Sequence, residues 1–267
     1  MAVSRGWAGV VRQDASVDLA TIAWLFAAGF LGAAINGVVG AGTLITFPAL
    51  LAAGAPPVVA NGTNTLGLSV GAWSSAFAYR KELSGRSWLI RPALIGSATG
   101  ALFGAFLVVV LPDTVFEFAV PWLILTATAL VAVQPLVVRR MRVQESPRAR
   151  SRGRLTVAIG ASGIYGGYFG AGQGVVLMAV LGWLYESSPQ HANAAKNLFA
   201  ASANITAAVV FAVSGRVWWW AALVIGLAAL VGGTIGARAA RRLQPGALRI
   251  TVVLVGLIAT ILVWWRW

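Results

Sequence analysis

The sequence predicts an all-α, polytopic membrane bundle made of two homologous repeats, and three observations predict it. Of 267 residues, 59% are hydrophobic and 10% are charged, whereas a soluble domain needs a shell that is roughly a quarter charged. Apolar runs such as Leu19 to Ile35 and Ala93 to Leu111 approach the roughly 20 residues that cross a bilayer. The chain also repeats itself. Gly40-Ala41-Gly42-Thr43 returns as Gly170-Ala171-Gly172-Gln173, and Ser84-Gly85-Arg86-Ser87-Trp88 returns as Ser214-Gly215-Arg216-Val217-Trp218, both shifted by 130. Between these, Ala60-Asn61 matches Ala192-Asn193, and Gly100, Gly104 and Ala105 match Gly232, Gly236 and Ala237, at a shift of 132. Internal duplication is a common mark of secondary transporters, which bind substrate where the repeats meet.

The first repeat spans 18–138 and the second 155–265, joined by a basic loop at 139–154. Each holds four nominal membrane segments, eight in all. Repeat one has a broken segment at 18–53 and helices near 58–79, 89–111 and 114–138. Repeat two has a broken segment at 155–185 and helices near 192–213, 217–238 and 247–265. Residues 155–185 as one helix would run about 46 Å, against a hydrocarbon core of about 30 Å. The glycine-rich centre is therefore an unwound break or a re-entrant hairpin. Non-helical backbone at that depth must be buried in protein or line a cavity.

The net charge of +13 does not read as a nucleic-acid surface. Arg139, Arg140, Arg142, Arg148, Arg150, Arg152 and Arg154 sit together between apolar runs, which is the positive-inside signal of a cytoplasmic loop. The expected location is a bacterial inner membrane, multi-pass, with anionic lipid headgroups as a partner. Two topologies remain open: eight plain crossings, or two re-entrant segments and three crossings per repeat. The second puts Arg238, Arg241, Arg242 and Arg249 inside as well, and it makes the repeats inverted. The Trp218-Trp219-Trp220 run and Trp264, Trp265 and Trp267 read as interfacial anchors.

An enzyme would need a base, nucleophile or metal constellation. One His, no Cys and seven acidic residues do not supply one, and no cofactor is expected. No phosphate-binding loop of the G-x-x-x-x-G-K-[ST] type occurs, so the chain carries no ATP-driven pump of its own. Asp113 and Glu186 read as loop residues, and His191 as an exposed loop histidine.

Candidate binding residues cluster at the repeated motifs. A half-helix starting near Thr43 or Thr46 would aim its N-terminal N–H groups at the break, a ready anion site. This nominates Gly40, Gly42 and Thr43, with Gly170, Gly172 and Gln173 as their counterparts. Gly32, Gly100, Gly104, Gly232 and Gly236, by contrast, read as helix-packing positions. The second cluster is Asn61, Thr63 and Asn64, paired with Asn193, Lys196 and Asn197, each at the start of a membrane helix. Asn and Thr there are also ordinary caps. Lys196 is the sharpest, because a lysine inside a membrane segment faces a cavity or a carboxylate unless it snorkels to the surface. Ser69, Ser74, Ser75, Ser202, Asn204 and Thr206 lie further along the same two helices.

These motifs carry a resemblance. The short glycine motif followed by a proline (Gly40-Ala41-Gly42 to Pro48), the Ala60-Asn61-Gly62-Thr63-Asn64 segment and their copies at Gly170-Ala171-Gly172 and Ala192-Asn193 resemble the TauE/SafE family of sulfite exporters and sulfur-anion permeases. The likeness covers about residues 18 to 265. It implies ATP-independent transport of sulfite, sulfonates, sulfoacetate, thiosulfate or similar small anions. The second copy departs from the first: Lys196 stands where Thr63 or Asn64 would be expected. The alternatives are an anion channel or a non-transporting membrane scaffold. A coupling proton or sodium ion and a homo-oligomer are both compatible with the sequence.

Overall fold

A computed structural model describes residues 18–78, 87–143, 152–185, 189–239 and 245–266. They are all-helical: α1 (Leu19–Val38), α2 (Thr43–Ala52), α3 (Pro57–Ala78), α4 (Ser87–Val110), α5 (Asp113–Val143), α6 (Arg152–Tyr168), α7 (Gln173–Leu184), α8 (Pro189–Val213), α9 (Trp219–Ala239) and α10 (Pro245–Arg266). The expectation of eight nominal segments becomes ten helices among the described residues, because each broken segment is two helices. Asp113 is the first residue of α5 rather than a loop residue. Arg139, Arg140 and Arg142 lie in α5, and Arg152 and Arg154 in α6. The rest of the basic loop, residues 79–86 with Ser84-Gly85-Arg86, Glu186, and Arg241 and Arg242 lie outside the described residues.

Proline sets several boundaries. Helices α3, α8 and α10 each begin on one; at the first helical position its missing N–H is not needed and its φ is already helical. Among the described residues, four helices are long and apolar enough to cross a membrane: those covering Leu19–Gly37, Leu89–Val110, Asp113–Arg139 and His191–Val213. Their outer faces carry exposed apolar side chains, among them Leu19, Phe106, Phe118 and Val213. Such a surface suits lipid rather than water.

Helices α1 and α2 fold back on each other. A Cβ on Gly32 would meet Thr46 Cγ2 at 2.7 Å, one on Gly42 would meet Asn36 Cβ at 2.9 Å, and Trp24 Nε1 donates to the Ala49 carbonyl at 3.2 Å. Residues late in α1 therefore face early α2, and early α1 faces late α2. Helices α6 and α7 form a second hairpin, in which Gln173 Nε2 donates to the Ser162 carbonyl at 3.0 Å. Between them, α3 packs antiparallel to α8: Gly62 lies against Phe211, and Ala72 and Ala76 cluster with Ala201.

Helix pairings come in matched sets. Exchange of the first five helices with the last five converts α4 on α6 into α9 on α1, and α3 on α9 into α8 on α4, while α3 on α8 and α5 on α10 map onto themselves. The tightest of these pairings rest on small residues. Cβ atoms on Gly100 and Gly104 would run into the Gly160 and Ile164 carbonyls, and one on Gly167 would meet the Ala101 Cα at 2.6 Å. A Cβ on Gly232 would likewise meet the Phe30 Cα at 2.8 Å. In lipid, helix association depends on such close backbone approach, since apolar burial alone gives no preference for protein over lipid. Gly167→Ala should therefore cost about 1–3 kcal/mol and lower the melting temperature of the detergent-solubilised protein. Gly226→Ala, whose new Cβ meets nothing closer than Val70 at 3.7 Å, should leave it unchanged.

Candidate functional site

Both helix breaks turn on left-handed glycines. Gly40 has φ +76°, Gly170 +75° and Gly172 +72°, a conformation that side chains with a Cβ rarely adopt. The released backbone groups find partners in protein. Gln134 of α5 donates from Nε2 to the Val39 carbonyl at 3.1 Å, and the Gly42 N–H donates to Asn36 Oδ1 at 3.3 Å. In the second break the Tyr165 hydroxyl donates to the Ala171 carbonyl, and Asn61 Nδ2 donates to the Tyr168 carbonyl at 2.9 Å.

The two hairpin tips touch. A Cβ built on Gly40 would lie 2.7 Å from the Gly174 Cα, and one on Gly174 would lie equally close to Gly40. Only two glycines permit this approach. Beside the contact is a cavity of about 30 Å³, close to one water's share of liquid volume. The first hairpin contributes Asn36, Gly37, Gly40 and Thr43, and the second Gly170, Gln173 and Gly174. Leu68 and Ala72 of α3 and Lys196, Asn197, Ala200 and Asn204 of α8 complete the wall.

Lys196 is 1% exposed and Asn197 6% exposed. Neither Lys196 Nζ nor Asn197 Nδ2 has a hydrogen-bond partner among the described residues. No carboxylate lines the cavity among the described residues. A buried ammonium without a counter-charge costs several kcal/mol, and a buried amide donor without an acceptor costs about 1–3 kcal/mol. Both donors are poised for an anionic or acceptor-rich guest.

The repeats diverge at this position. With the shift of 132, Lys196 is the counterpart of Asn64 and Asn197 that of Thr65. Asn64 is fully used: it donates from Nδ2 to Thr43 Oγ1 at 3.2 Å and accepts from the Thr46 hydroxyl. It thereby ties α3 to the first turn of α2. Thr63 is also used, accepting the Trp218 N–H at 2.9 Å just before α9. Repeat one spends these side chains on helix contacts, while repeat two leaves a charge free.

Of the sequence candidates, the cavity brings together Gly40, Thr43, Gly170, Gln173, Lys196 and Asn197. Gly42 packs against α1 and Gly172 against Ala127 of α5. Asn61, Thr63 and Asn64 join helices, and Asn193 is half-buried away from the lining. Sequence reasoning left out Asn36, Gly174 and Gln134. Asn36 had a usable signal, since it precedes Gly40 by one helical turn. Gln134 had none, because its partner Val39 is 95 residues away.

Comparison with known proteins agrees with this architecture. Residues 25–263 match the family model described as Sulfite exporter TauE/SafE. The chain belongs to the TauE/SafE family. It is 30% identical over 243 residues to a probable membrane transporter protein, ORF9, of Sinorhizobium sp, covering 91% of this chain and 90% of that one. A probable membrane transporter protein of Haemophilus influenzae is 28% identical over 93% of this chain and 95% of its own. The probable membrane transporter protein YfcA of Escherichia coli K12 is 31% identical over 82% and 79%. No solved structure matches the chain. TauE/SafE is thus a family of membrane transporters, and the chain is a helical membrane protein of that kind.

The contrast between Asn64 and Lys196 gives a stability test within this TauE/SafE chain. Asn64→Ala strips partners from two buried threonines and should cost about 1–3 kcal/mol, seen as a lower melting temperature. Lys196→Met replaces an unpartnered buried charge with an apolar chain of similar length, a change that is commonly neutral or stabilising. It should melt at or above the wild-type temperature. A Lys196→Met protein that melts as low as Asn64→Ala would make Lys196 a structural residue.

Proposed function

We propose that this chain is a secondary transporter moving small anions, namely sulfite, sulfonates or related sulfur-containing organic anions, across the bacterial inner membrane. One observation carries the reading: the unpartnered, buried Lys196 and Asn197 donors share one cavity where the two hairpin tips meet. A bound anion supplies the missing counter-charge, so occupancy relieves a standing cost of the fold. The family description, which names sulfite export, supports a sulfur oxyanion as the guest.

The matched helix pairings and the opposed hairpins support two inverted repeats. In this reading α3, α4, α5, α8, α9 and α10 cross the membrane. The hairpin α1–α2 enters from one face and α6–α7 from the other. The basic loop between α5 and α6 is cytoplasmic. Separation of the tips would widen the small cavity beside them. Separation towards one face at a time gives alternating access. Two hairpin tips in contact support a transporter over an open channel.

Two experiments test this. In a thermal-shift screen against sulfite, sulfoacetate, thiosulfate, taurine and chloride, a true substrate raises the melting temperature, because it binds only the folded state. Lys196→Gln should remove that shift and weaken apparent affinity in transport assays. Lys196→Arg should restore it in part, since guanidinium and ammonium differ in shape and hydration. Unchanged affinity in Lys196→Gln removes this residue from the site, and transport that never accumulates substrate against its gradient favours a channel. For orientation, a cysteine introduced at Ser151 in this cysteine-free chain should resist an impermeant thiol reagent added outside intact cells. Rapid labelling would place the loop outside.

A further inference from the structure

Helix α2 connects the anion cavity to a second, separate feature. Its ten residues span about 15 Å. Thr43 at one end lines the cavity. Pro48, Leu51 and Ala52 towards the other end line an open groove of about 520 Å³. The turn into α3 and three apolar residues of α10, Ala259, Leu262 and Val263, form further walls. The remaining lining residue is Glu117 of α5.

Glu117 is half-buried and has no cationic partner among the described residues. The charges around it are unfavourable. Asp113, about one turn earlier on α5, is a like charge and is already paired with Arg216 at 2.6 Å. The described lining residues of α2, the α2–α3 turn and α10 bring no titratable group. Helix α2 ends here, and the carbonyl end of a helix is its negative end. An ionised Glu117 is thus opposed by its neighbours, and only a bound positive charge relieves it. A proton needs only the carboxylate.

We propose that Glu117 is the proton-binding carboxylate that couples anion movement at the Lys196 cavity to a proton gradient, with α2 as the connecting element. The proposal rests on the anion-transport reading above. A proton from water on the face opposite the basic loop converts the carboxylate, charge −1, to the neutral acid. The neutral acid no longer repels the carbonyl end of α2 and can donate a hydrogen bond to it. The base of the first hairpin then settles towards α5, and its tip shifts against the cavity.

The test uses the full chain reconstituted in proteoliposomes, with sulfite, sulfoacetate and thiosulfate each as probe. Three quantities are measured: accumulation driven by an imposed pH difference, anion exchange at equal pH, and thermal stabilisation by the same anion. The wild type should show all three. Glu117→Gln, a mimic of the protonated state, should keep exchange and stabilisation at wild-type levels and lose pH-driven accumulation. Glu117→Asp should recover part of it. Retained exchange also shows that the variant is folded. PH-driven accumulation that survives in Glu117→Gln, or wild-type accumulation that ignores the pH difference, overturns the role of Glu117. Absence of exchange and stabilisation in the wild type overturns the anion reading itself, and the proposal with it.

Discussion

Backbone that leaves the helix at membrane depth must find its hydrogen bonds in protein, and this constraint organises the whole site. Each glycine break frees carbonyl and N–H groups that lipid cannot satisfy. The breaks are therefore surrounded by polar side chains drawn from several helices. Gln134 holds Val39, Asn61 holds Tyr168, Tyr165 holds Ala171, and Asn36 holds Gly42. The requirement draws α3 and α5 around the hairpin tips, and α8 completes the wall of a small polar pocket beside them.

The two halves pair their helices alike but use matching side chains differently. The helix pairings are matched between the halves, yet equivalent side chains do different things. Asn64 is consumed in a tie between α3 and α2. Its counterpart Lys196 is 1% exposed and has no hydrogen-bond partner among the described residues. Two latched copies would give a stable bundle without a positive charge in the cavity, and two free lysines would repel each other in a low-dielectric interior. One latch and one free charge combine a fixed hairpin with a buried cation beside the hairpin tips.

Glycine carries the packing that makes these approaches possible. The stripe Gly96, Gly100 and Gly104 on α4 meets Thr156, Gly160 and Ile164 on α6 at backbone distance, and Gly40 meets Gly174 across the tips. The first set is a helix contact that runs along three successive turns. The second is a point contact between the first break and the first turn of α7. Separation at the tips breaks few interactions, while separation of α4 from α6 would break many.

The class of the protein, its duplication and the two helix breaks were determined by the sequence alone. Composition, apolar run length and the recurrence of Gly40-Ala41-Gly42 at Gly170 are local or one-dimensional properties, and lipid leaves backbone few alternatives to helix. Lys196 also stood out locally, as a charge in an apolar helix. Only the tertiary structure decided which polar residues serve the cavity and which serve the fold. Asn61, Thr63 and Asn64 look like Asn193, Lys196 and Asn197 in sequence, but their partners Tyr168, Trp218 and Thr43 lie 107, 155 and 21 residues away. A polar side chain in a membrane helix is functional or structural according to whether a distant segment satisfies it. That pairing depends on how the hairpins dock across the repeat boundary, which no local pattern encodes.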